Sequence, residues 1–180
     1  MMKMAKSIAI AFAISGILAF AHPVAVNAAG TGGCDSFAWP LKTELEWMKA
    51  ADSEAAQSGG KLAAPPAKAI ALTLQPADAV KFEVAPTGNG KAESGKAFGG
   101  IITFDGVAEP GLYQVSLSGP GWIDVVQGGK ALETEAHTGK SDCEGLRKSV
   151  RFKIGAGPFA VQLNGVPEAA VKLAVRRADE

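Results

Sequence analysis

Histidine is scarce in this chain: His22 and His137 are the only two among 180 residues. His22 falls just behind an N-terminal apolar stretch, so cleavage after Ala28 would leave His137 alone. That scarcity excludes a zinc site built from several histidines and the two-histidine, one-carboxylate iron site of many oxygenases. Excess charge is also missing. Eighteen Lys and Arg balance 18 Asp and Glu, which rules out a strongly basic nucleic-acid binder. Cys34 and Cys143 are the only cysteines and lack Cys-x-x-Cys spacing, so no dithiol redox centre is expected. A Gly-x-Ser-x-Gly elbow is absent, which leaves His137 and Asp142 without a placed serine nucleophile. Gly88-Asn89-Gly90, Gly99-Gly100 and the stretch 155–157 precede no helix and read as turns, not phosphate loops. No repeat of solenoid length is visible.

The N-terminus has the pattern of an export signal. Lys3 and Lys6 precede an uncharged apolar run from Ser7 to Ala21, Pro23 breaks it, and Val26-Asn27-Ala28 offers small residues for cleavage. The run is short for a membrane span and no second one follows. Cleavage after Ala28 removes two lysines and leaves a slightly acidic chain. The expected organisation is a signal peptide over 1–28, a leader, helix and connector over 29–67, and a β-domain over 68–180. Export to the periplasm or exterior makes a Cys34–Cys143 disulfide the one available pairing. It would close a loop of roughly 100 residues, worth up to about 4.7 kcal/mol by chain entropy.

From Pro40 to Gln57 the pattern is helical: Leu41, Leu45 and Met48 recur on one face and Ala51 and Ala55 extend it. Pro40 suits the first turn and Gly59-Gly60 the stop. Trp39 and Trp47 would pack this helix onto a sheet. After the extended connector around Pro65-Pro66 the period changes to two. Strands are expected over 69–74, 79–84, 98–104, 112–117, 122–127, 130–137, 150–154, 159–163 and 170–175. That pattern predicts an all-β domain, an antiparallel β-sandwich or jelly roll of about eight or nine strands with one N-terminal α-helix.

Two hairpin openings are alike. Gly111-Leu112-Tyr113-Gln114-Val115 and Gly157-Pro158-Phe159-Ala160-Val161 each place an aromatic residue just inside a strand after a glycine turn. Over roughly 69–175 this pattern resembles the bacterial pre-peptidase C-terminal type of secreted β-sandwich. The resemblance implies a non-catalytic module, in some members with calcium. The acidic cluster of such a calcium site is reduced here to Asp124, beside Trp122, and no protease domain accompanies the module.

Candidate binding residues gather after Cys143. Arg147, Lys148, Arg151 and Lys153 lie within seven residues, and strand alternation sets Arg151 and Lys153 opposite Val150, Phe152 and Ile154. Such a basic strip suits an anionic glycan, lipid headgroups or an acidic partner. Trp122 offers a sugar-stacking platform if it faces outward. It shares a face with Asp124 and Val126, and alternation does not say whether that face or the one with Ile123 and Val125 is inside. The expectation is a non-catalytic exported module that binds an envelope protein or glycan through Arg147, Arg151, Lys153 and Trp122, without cofactor or metal. Two alternatives stand beside it. One is an envelope-assembly protein docking through an exposed Leu41–Leu45–Met48 face. The other cleaves after Ala21 and holds copper between an N-terminal His22 and His137.

Overall fold

The computed structural model describes residues 32–88 and 97–178. Among them one α-helix, α1 (Lys42–Lys49), precedes twelve strands. These are β1 (Glu54–Gln57), β2 (Gly60–Leu62), β3 (Ile70–Thr73), β4 (Gln75–Pro76), β5 (Phe98–Phe104) and β6 (Gly111–Leu117). There follow β7 (Trp122–Gln127), β8 (Lys130–Ala131), β9 (Thr134–Gly139), β10 (Lys148–Ile154), β11 (Phe159–Val166) and β12 (Ala170–Arg177). They form two six-stranded sheets. The first has the order β1-β3-β12-β6-β10-β9, and the second the order β2-β5-β11-β7-β8 with β4 also on β5.

Alternation builds the shared core. Val150, Phe152 and Ile154 of β10 and Val115 and Leu117 of β6 enter the same cluster as Phe159, Val161 and Leu163 of β11 and Ile123 and Val125 of β7. Phe104 stacks on Phe159 with ring centroids 4.9 Å apart. Each fully buried side chain of this size contributes about 1.5–3 kcal/mol through removal from water. Gly128 and Gly129, both at positive φ, make the two-residue link from β7 to β8, a conformation that glycine adopts without steric cost.

Three sequence expectations change. The helix stops at Lys49, and Glu54–Gln57, expected to be helical, pairs parallel with Ile70–Thr73. Lys172 ends the helix by donating to the carbonyls of Met48 and Ala50, each at 2.7 Å. The strands number twelve: β1 and β2 add parallel edges to the two sheets, β4 pairs with β5, 130–137 divides into β8 and the start of β9, and one expected strand is absent. The stretch 79–84 is no strand: it crosses the outer face of the second sheet, where the buried Gln162 amide binds the N–H of Glu83 and both backbone groups of Val84. The Asn89 and Gly90 of the glycine-rich turn lie outside the described residues.

The outer face of the first sheet is covered by the N-terminal segment. Leu41 and Met48 are buried there with Ala69, Leu146 and Ala174, and Phe37, Trp39, Leu45 and Trp47 pack around them. Glu44 is fully buried on the same helix face. Its carboxylate accepts from Gln114 Nε2 and, at 2.9 Å, from Arg176 Nε.

Candidate functional site

The disulfide exists: Cys34 and Cys143 are joined with an S–S distance of 2.10 Å. It fixes the loop between β9 and β10 against the N-terminal segment, and the loop carries further anchors. Leu146 is fully buried, and Asp142 accepts the Gly33 N–H at 2.7 Å. Arg147 follows at once, with its N–H bound to the Leu117 carbonyl and its own carbonyl to the Lys140 N–H. The backbone that presents Arg147 is therefore held on both sides.

The register of β10 decides where the basic residues go. Lys148, Val150, Phe152 and Ile154 share a face, and Lys148 is the first of that series, at the end of the shared core. His137 of β9 lies opposite Val150, and Gly139 opposite Lys148. A cleft of about 490 Å³ opens there. His137, Thr138, Gly139, Arg147 and Lys148 line it together with Pro120 and Gly121 of the β6–β7 turn. No carboxylate is among these residues. The Arg147 guanidinium lies beside Gly139, 3.6 Å from where a side-chain carbon there would stand, which is ordinary contact distance.

Lys148 Nζ donates to the Gly121 carbonyl at 3.0 Å and sits 5.3 Å from the centre of the Trp122 ring. Burial and the charge of Arg147 push its pKa below the usual lysine range, while Asp124 pulls the other way. Asp124 is already engaged. It accepts from the Thr87 backbone and hydroxyl and, at 3.0 Å, from Trp122 Nε1.

The expected strip of Arg147, Arg151 and Lys153 is not one surface. Arg151 points to the outer face of the first sheet, as alternation requires, but there it stacks 4.2 Å from the Trp39 ring centre and donates to Gln114. Lys153 pairs with Glu135 at 3.1 Å. Arg147 alone of these reaches the cleft. Trp122 does face outward from its sheet and is 38% exposed. Gly88 lies against its ring so closely that an added side-chain carbon would fall 2.1 Å from Cδ2.

Sequence reasoning named Lys148 in the basic group but left it, with His137, out of the expected glycan- or protein-binding set. The available signal was Lys148's place at the head of the apolar series Val150, Phe152, Ile154. A lysine there must emerge where that face ends. The apolar helix face of Leu41 and Met48 is buried on the chain's own sheet, with Leu45 half-buried beside it. His22 lies outside the described residues, and among those described no cluster of three metal-ligating side chains occurs. Likewise no described helix is long and apolar enough to cross a membrane. No family model, curated protein or solved structure matches this chain.

Proposed function

We propose that this chain is an exported, non-catalytic β-sandwich module that binds an acidic group of a cell-envelope glycan. One observation carries the reading: Arg147, Lys148 and His137 line a single open cleft, and neither Arg147 nor Lys148 belongs to an ion pair among the described residues. Two adjacent cations without a carboxylate attract an anion by ordinary electrostatics. A disulfide and the signal-like start fit an oxidising compartment outside the cytoplasm. The buried apolar residues of α1 give no comparable support to docking through the helix.

Native gel electrophoresis through matrices containing polygalacturonate, phosphomannan or neutral dextran tests this function. We expect retardation by at least one acidic polymer and none by dextran, with the retardation lost in the Arg147→Ala, Lys148→Met double variant. Equal mobility in all three matrices, or equal retardation of the variant, would contradict it.

A further inference from the structure

Resting on that reading, we propose that the cleft of His137, Arg147 and Lys148 is a phosphomonoester site, taking phosphorylated sugar end groups in preference to uronic acids. Arg147 and Lys148 bring two positive charges to one cleft, and nothing lining it neutralises them. Asp124, the carboxylate whose field reaches Lys148, has its oxygens taken by Thr87 and Trp122. A carboxylate carries one charge and two oxygens, so it would leave part of this pair uncompensated. A phosphomonoester carries roughly −1.5 to −2 at neutral pH and three strong acceptor oxygens.

The donors match that count. A guanidinium offers a planar fork that binds two phosphate oxygens at once. Lys148 spends one of its three N–H groups on the Gly121 carbonyl and keeps the others for a ligand. His137 is exposed on the third side, and its ring can donate as well. The backbone that carries Arg147 is held by the disulfide loop and by its bonds to Leu117 and Lys140, and Lys148 Nζ is held by the Gly121 carbonyl. Part of the ordering that an anion would otherwise have to impose, the loop backbone and the Lys148 ammonium, is thus already in place, which favours binding of a compact dianion. The cleft's size and openness suit a single phosphorylated sugar at the end of a longer chain.

Isothermal titration of the full disulfide-bonded protein with glucose 6-phosphate, inorganic phosphate, glucuronate and glucose tests the inference. Glucose 6-phosphate should bind at least about tenfold more tightly than glucuronate, and glucose should not bind. Tighter binding of glucose 6-phosphate than of inorganic phosphate supports a sugar-borne source; equal binding supports the phosphoryl group as the whole epitope. Arg147→Lys, which keeps the charge but loses the fork, should weaken glucose 6-phosphate several-fold, and Arg147→Ala should weaken it further. Glucuronate binding as tightly as glucose 6-phosphate would overturn the phosphate preference and leave the acidic-glycan reading standing. Silence from all four, in a protein that circular dichroism shows folded, would overturn both.

Discussion

Two groups of basic residues, carried partly by the same strand, have opposite fates in this molecule. Over the outer face of the first sheet, Arg151, Arg176 and Lys172 are consumed by the fold. Arg151 stacks on Trp39 and binds Gln114, Arg176 binds the buried Glu44, and Lys172 holds the last carbonyls of α1. At the end of the core, Arg147 and Lys148 meet no acidic side chain in their cleft. Lys148 and Arg151 are three residues apart on β10, and strand alternation alone sends one to each side. A run of basic residues is therefore not a surface. Only after each side chain has been followed to its partner is it known which charges are free for a ligand.

The Cys34–Cys143 link ties the N-terminal segment that engages the first group to the loop that leads into the second. Reduction, or Cys34→Ala with Cys143→Ala, should cost up to about 4.7 kcal/mol, given a sequence separation of 109. Urea denaturation with and without reductant measures it. Glucose 6-phosphate binding should weaken in the same sample, since the loop leading to Arg147 is no longer pinned. An unchanged midpoint would remove the disulfide from the account.

Next in size is Glu44→Ala, which should cost about 3–5 kcal/mol because a buried charge pair loses one member. Glu44→Gln, which keeps an acceptor for Gln114, should cost less. Denaturant midpoints would show both losses, and at temperatures where the variants remain folded their glucose 6-phosphate affinity should be that of the wild type. Coupled loss of affinity would show that the two basic groups are not separate.

Lys148→Met should behave in the opposite way, with affinity for glucose 6-phosphate falling about tenfold or more and no drop in melting temperature. The sign follows from its lowered pKa. Above that folded-state pKa and up to the usual 10.5, the unfolded chain holds more protons on this group than the folded chain does. Wild-type stability therefore gains as pH rises through that window, and the charged lysine is a cost below it. The variant should lack this alkaline gain, which thermal melts across the window would detect. Smallest is Gly88→Ala, whose new carbon would strike the Trp122 ring. In NMR spectra the Trp122 indole N–H signal should move, reporting loss of its bond to Thr87, while those of Trp39 and Trp47 stay in place.

How far the sequence reaches follows from the same physics. The Val150–Ile154 alternation, the strand over 122–127 and the Cys34–Cys143 pairing were legible because each is decided locally or by count. β1 and β2 were not. Glu54–Gln57 is short, rich in alanine and weak in strand preference, and its partner β3 is parallel and distant along the chain. The stretch 79–84 alternates like a strand, yet the Gln162 side chain captures its backbone across the sheet face, a contact no periodicity encodes. Arg151 and Lys153 were placed on the correct side of β10, but Trp39 and Glu135, which engage them, come from other strands or segments. The cleft escaped for the same reason: His137 and Lys148 meet only through the β9–β10 register.

The most direct test of the division between structural and binding charges is a heteronuclear NMR titration of the wild-type protein with glucose 6-phosphate. The account predicts shifts concentrated at Gly121, His137 to Gly139, Arg147 and Lys148, with Arg151, Lys153 and Arg176 unmoved. Shifts centred on Arg151 and Lys153, or none anywhere, would contradict it.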